Sequence, residues 1–125
     1  MRIQFYFLLF AFVIFSCKVK ENQSYYFVDE SWIEVHFKRS MSTEELVSIR
    51  DKLVPYGVIV KYLVIQRDSS KNISLFQIEV QDGKGKIARS RTEFLDEIPY
   101  GIRIHRGDPS DDGFKVGPLY EKRPQ

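Results

Sequence analysis

The chain has 125 residues, of which 29% are charged, with a formal net charge of +2 and one cysteine. That length admits a single domain, the lone cysteine excludes a disulfide framework, and the near balance of overall charge implies no strong electrostatic partner of the nucleic-acid kind. The core must therefore be apolar packing alone.

Met1 and Arg2 give a short positive start, and Ile3 to Phe15 form an apolar run whose only strongly polar member is Gln4. This is the form of an export signal. As a helix the run spans about 20 Å, less than the roughly 30 Å hydrocarbon core that a spanning helix must cross. Its end, Ile14-Phe15-Ser16-Cys17, resembles the lipobox of bacterial lipoproteins, with Phe15 bulkier than the small residue usual there. The resemblance implies cleavage before Cys17 and attachment of diacylglycerol and palmitate-type acyl chains to it. Buried methylenes at about 0.8 kcal/mol each make such anchoring stable. Lipidation also removes the liability of a free thiol in an oxidising compartment. Lys18 stands where inner-membrane lipoproteins commonly carry aspartate, so by resemblance to that sorting pattern the outer membrane is favoured.

Residues 18–24 (KVKENQS) are polar and aperiodic, as a tether requires. The domain is expected over 25–105, followed by a mostly irregular tail over 106–125, rich in Gly, Pro and Asp. Tyr25 to Val28 forms a short strand or docks on the sheet. From Trp32 to Lys38 the residues alternate, with Ile33, Val35 and Phe37 on the buried face and Trp32, Glu34, His36 and Lys38 on the other. Ser42 and Glu45 form a capping box for a helix whose stripe is Leu46, Ile49 and Leu53, flanked by Val47 and Val54. Pro55, Tyr56 and Gly57 end it.

Val58 to Ile65 is apolar on both faces apart from Lys61 and reads as a central strand. After the turn Asp68-Ser69-Ser70-Lys71, Ile73 to Val80 alternates with Phe76, Ile78 and Val80 inward, completing a hairpin. Asp82-Gly83 and Gly85 turn the chain into a polar edge strand over Lys86 to Phe94, and Ile102 and Ile104 mark one more short strand. The expected class is α+β, with a small mixed or antiparallel sheet of three to five strands and one helix on one face, in β-α-β-β order. One helix covers one sheet face, so Trp32, His36 and Tyr62 form the candidate interaction face. Phe114, Val116, Leu119 and Tyr120 of the tail are an alternative cover for the second face.

The stretch from Ile33 to Gly85, with EELVSIRDKL, YGVIVKY and FQIEVQDGKG, resembles a small domain of exported bacterial proteins. It is similar to the region appended to membrane metallopeptidases of the penicillin-sensor class. The likeness is one of pattern over roughly half the mature chain, and the peptidase's zinc-binding helix has no counterpart here. It implies a periplasmic sensing or interaction module without peptidase activity.

Several short strings carry less. Asp108, Ser110, Asp112 and Gly113 match the first half of a calcium loop, but Leu119 stands where the closing glutamate belongs. Arg106-Gly107-Asp108 and Asn72-Ile73-Ser74 are tripeptides that recur by chance, and Gly83-Lys84-Gly85-Lys86 lacks the spacing of a phosphate loop. His36 and His105 have no second histidine or cysteine at ligand spacing; Glu34 and His36 share a strand face, which by itself is a poor metal site. Lys84, Lys86, Arg89, Arg91, Arg103 and Arg106 enrich the C-terminal half in positive charge, with Glu93, Asp96 and Glu97 interspersed. No cofactor motif and no catalytic set is legible. The expected function is a lipid-anchored cell-envelope protein whose non-catalytic domain binds a protein or envelope component, of inhibitor, immunity or sensor type. The alternative is an envelope-acting hydrolase, which needs polar groups converging in a pocket around His36 or the acidic tail.

Overall fold

The computed structural model describes residues 26–93, 98–107 and 113–122. The expected signal segment and tether, Cys17, Tyr25 and the Asp108 to Asp112 string lie outside the described residues. Within them are seven strands and one α-helix: β1 (Tyr26–Val28), β2 (Trp32–Phe37), α1 (Thr43–Leu53), β3 (Ile59–Arg67), β4 (Ile73–Gln81), β5 (Ile87–Thr92), β6 (Tyr100–His105) and β7 (Phe114–Pro118). A 3-10 turn, Val54–Tyr56, follows α1. The class is α+β, and the strands form two antiparallel sheets, a four-stranded one in the order β1-β2-β6-β7 and a three-stranded one in the order β3-β4-β5.

β2 forms because its alternation commits Ile33, Val35 and Phe37 inward, where none is more than 2% exposed. Opposite them on β6 lie Ile104, Ile102 and Tyr100, and opposite those on β7 lie Phe114, Val116 and Pro118. The inward face of the second sheet supplies Val60, Phe76, Ile78 and Val80. The two faces share one core. The rings of Phe37, Tyr62, Phe76 and Tyr100 meet there, with Phe76 5.1 Å from Phe37, 5.8 Å from Tyr62 and 6.3 Å from Tyr100.

An isolated helix of the length of α1 is marginal in water. Ser42 caps it, accepting from the Glu45 amide at 3.1 Å while the Glu45 carboxylate accepts from the Ser42 amide at 3.0 Å. Burial of Leu46, Ile49 and Leu53 contributes about 1.5 to 3 kcal/mol per side chain. The helix spans the side of the core between β3 and β1, where the Tyr62 hydroxyl donates to the Leu46 carbonyl and the Tyr26 hydroxyl to that of Lys52. On the far side β7 runs beside β5, and the Tyr100 hydroxyl meets Ser90 at 2.5 Å.

Four expectations need correction. One sheet is replaced by two, each covering the other. β3 is an edge strand, not a central one: its outward residues Ile59 and Leu63 are exposed, and a bulge near Leu63 shifts its register on β4. The strand marked by Ile102 and Ile104 is central, not marginal, with five of its six residues buried. Part of the tail is regular, since β7 pairs with β6; Phe114 and Val116 pack on the core and Leu119 is buried, while Tyr120 is 76% exposed.

β2 and β6 approach so closely at Gly101 that a Cβ there would lie 1.7 Å from the Val35 carbonyl oxygen. Gly101→Ala therefore forces the two central strands apart and is expected to cost more than about 4 kcal/mol. Gly107→Ala, whose Cβ meets nothing within 4 Å, is expected to stay within about 0.5 kcal/mol of wild type. Urea unfolding of the two variants beside wild type measures both; equal midpoints would contradict the close approach.

Candidate functional site

The inward commitment of Ile33, Val35 and Phe37 turns Trp32, Glu34 and His36 to the outward face of the four-stranded sheet. Register then sets their neighbours: Glu34 lies between Phe27 and Arg103, Trp32 opposite His105, and His36 opposite Gly101. Before β2, the Asp29 carboxylate accepts from the amides of Ser31 and Trp32 at 2.8 and 2.7 Å, which fixes the turn delivering Trp32 to the sheet. The Trp32 ring meets His105 edge to face at 4.6 Å.

At the centre of this face Arg103 donates through Nε to Glu34 Oε1 at 2.7 Å, and His36 Nε2 lies 2.6 Å from Glu34 Oε2. Although it points away from the core, Arg103 is only 6% exposed. Its cover is the chain after β7, where Leu119 donates to the Pro99 carbonyl at 2.7 Å and the Glu121 carbonyl accepts from Arg103 Nη1 at 2.5 Å. Burial opposes ionisation of Glu34, but hydrogen bonds from Arg103 and then His36 outweigh it and hold the carboxyl below its ordinary value.

Between the returning segment and the sheet runs an open groove of about 780 Å³. Glu34, His36 and Arg103 lie along it, with Trp32, Leu119 and Tyr120 as its apolar and aromatic members. Such a volume suits a small ligand or a peptide side chain cluster. The arrangement offers flat aromatic surface beside a polar floor. Its charges are largely satisfied within the protein, and no hydroxyl or thiol among the described residues is hydrogen-bonded to His36.

Of the candidate face, Trp32 and His36 come together on this groove, and Tyr62 does not. Tyr62 belongs to the core side, its ring against Phe37 and Phe76 and its hydroxyl on the helix backbone. Among the described residues no three His, Cys, Asp or Glu are grouped to hold a metal ion, and the shared carboxylate of Glu34 is already engaged by Arg103 and His36. The basic residues of the C-terminal half are divided, with Arg103 in this ion pair and Arg89 and Arg91 on the other sheet. The returning Leu119–Lys122 segment and the Glu34 to Arg103 pair were not legible in sequence. The only signal was that Arg103 lies between two inward isoleucines and so must face out.

Breaking a desolvated pair from one side leaves a buried charge uncompensated, at about 3 kcal/mol. Arg103→Met alone is expected to cost about that much, whereas Glu34→Leu with Arg103→Met recovers most of it, because no buried charge remains and the partly exposed His36 turns to water. Denaturant midpoints of the two variants test this; equal losses would refute it. Because the Glu34 value is lowered from the ordinary 4.5, the stabilisation from its ionised form is complete above that pH and is lost as pH falls through the lowered value. The stability gap between wild type and Glu34→Gln should therefore narrow on acidification below pH 4.5.

No protein-family model, curated protein or solved structure matches this chain, so the reading of the site rests on its own residues.

Proposed function

We propose that this chain is a lipid-anchored protein of the bacterial cell envelope, held at the outer membrane through Cys17, whose small domain binds a protein or envelope component without chemistry. The observation that carries the binding reading is the groove over Glu34, His36 and Arg103, where aromatic surface surrounds a floor of internally satisfied charge. A pocket of this kind recognises by shape, stacking and a few fixed polar groups. The anchor reading rests on Ile14-Phe15-Ser16-Cys17 and the polar tether that follows. An inhibitor, immunity or sensor protein needs no more than an anchor, a tether and a recognition surface.

A second reading, an envelope-acting hydrolase, is favoured by one observation. His36 opens on the groove and is oriented by a carboxylate at 2.6 Å, the geometry of a general base. In that case His36→Asn abolishes turnover while leaving ligand affinity nearly intact.

The test is affinity capture from detergent-solubilised envelopes with tagged full-length protein, beside Cys17→Ala, Trp32→Ala with Tyr120→Ala, and Ile59→Ser on the other sheet. Wild type and Ile59→Ser should retain one partner at fixed stoichiometry, and the groove variant should lose it. Intact mass should show a lipid increment on wild type that Cys17→Ala lacks. An unmodified wild-type mass would sink the anchor, and a partner indifferent to the groove variant would sink the site.

A further inference from the structure

The outward face of the three-stranded sheet is bare among the described residues, and its rungs follow from the register. Ile59, Gln81 and Ile87 form the first; Lys61, Glu79 and Arg89 the second; Val64, Gln77 and Arg91 the third. Three aliphatic side chains stand out of it, Ile59 at 47%, Leu63 at 45% and Ile87 at 60% exposure. Around them are the cations Lys61, Arg89 and Arg91, with Lys86 in the turn that leads to Ile87, while Lys84 of the same turn donates to the Arg106 carbonyl at 2.7 Å. The one carboxylate on these rungs, Glu79, is largely buried and shared between Arg89 at 2.7 Å and Lys61 at 3.6 Å. The face therefore presents excess positive charge interspersed with single aliphatic side chains.

We propose that this face docks on an anionic phospholipid surface and seats the anchored domain with its groove turned away from the bilayer. Charge complementarity names the occupant. A protein interface core depletes lysine and gathers its apolar residues, whereas here Lys61 stands between Ile59 and Leu63, Gln81 between Ile59 and Ile87, and Arg89 and Arg91 continue the row of Ile87. At a headgroup layer the pattern fits: cations meet phosphates while isolated aliphatic side chains enter the acyl boundary. The two sheets share one core between their inward faces, so this face and the groove point to opposite sides. The length of chain before β1 agrees. The eight residues between Cys17 and Tyr26 reach at most about 30 Å, comparable to the domain itself, so an anchored domain stays within contact of the surface. The docking proposal rests on the lipid anchor proposed above only for that proximity.

Trp32 is the sole tryptophan and lies on the opposite outward face, which supplies an internal control. Full-length protein is reconstituted in phosphatidylcholine vesicles, with or without phosphatidylglycerol, carrying phospholipids brominated along the acyl chain. Trp32→Phe with Ile87→Trp should be quenched in the anionic vesicles and not in phosphatidylcholine alone, while wild-type Trp32 emission is unchanged in both. Quenching should fade at about 0.5 M salt, where the Debye length is only a few ångströms. Adding Arg89→Gln and Arg91→Gln should weaken docking about five-fold per charge removed. Trp32→Phe with Ile59→Trp, on the same rung, repeats the measurement if the first reporter fails to fold by circular dichroism. No quenching in anionic vesicles, or equal quenching in both compositions, overturns the proposal. A blue shift that grows with protein concentration in vesicle-free detergent overturns it in favour of a second copy of the chain. Intact mass of the same sample reads the anchor separately. A lipidated protein whose reporter stays unquenched overturns docking alone, and an unlipidated protein quenched when added to anionic vesicles overturns the anchor alone.

Discussion

Four rings hold together two sheets that share no backbone ladder. Phe37 and Tyr100 come from one sheet, Phe76 and Tyr62 from the other, and Phe76 touches all three of its companions. Edge and tilted contacts of this sort add about 0.5 to 1.5 kcal/mol per pair beyond burial. The two tyrosines extend the cluster, because a buried phenol must find a partner. Tyr62 finds the helix carbonyl of Leu46 and Tyr100 finds Ser90, so the rings also tie α1 to one side of the core and β5 to the other. Burial pushes both phenols above their ordinary value, so neither ionises at neutral pH to disturb that link.

With the inward positions of β2, β4 and β6 taken by this core, the outward faces carry the charged side chains, and they solve the same problem differently. Each carries a rung of acid between neighbours of other strands: Glu79 between Lys61 and Arg89, Glu34 between Phe27 and Arg103. Glu79 is held below its ordinary value first by the hydrogen bond from Arg89, but both its cations stand in water, and screened pairs stabilise little. Arg103 is roofed by the returning chain and nearly dry, so its pair with Glu34 fixes the geometry of the groove and tolerates no one-sided loss. The same cross-strand device is a solvated surface on one sheet and a rigid floor on the other.

Much of the local structure is legible in the sequence. The alternation of Trp32 to Phe37, the Ser42 and Glu45 box, the Leu46, Ile49 and Leu53 stripe and the Asp82-Gly83 turn each state their conformation within a few residues, and each is found as read. The remainder depends on distant partners. Val58 to Ile65 is apolar on both faces, and periodicity cannot distinguish an outward Ile59 or Leu63 that is covered from one that stands in solvent. Ile102 and Ile104 look like a weak strand because Gly101 and Arg103 interrupt the apolar pattern. Gly101 is there for the close approach of β2, and Arg103 for Glu34, 69 residues away in sequence. Tyr62 faces the core and not the groove for the same reason, since the strand order that turns it toward Phe37 and Phe76 has no local signature.

Whether the groove binds or reacts turns on how Glu34 divides its charge. A carboxylate that orients a histidine as base does most when its negative charge is available to the imidazolium formed during proton transfer. Here the stronger claim on Glu34 is that of Arg103, a permanent cation which is itself buried and donates to it at 2.7 Å. That permanent cation shares the carboxylate with His36, so Glu34 is not given over to the imidazole alone. Glu34 is therefore placed to hold His36 in position, and on the binding reading proposed above a fixed imidazole beside Trp32 and Tyr120 serves recognition. The Glu121 carbonyl takes a second hydrogen of Arg103, so on the proposed reading a ligand in the groove meets a cation already engaged and is selected by shape, stacking and hydrogen bonds more than by net charge.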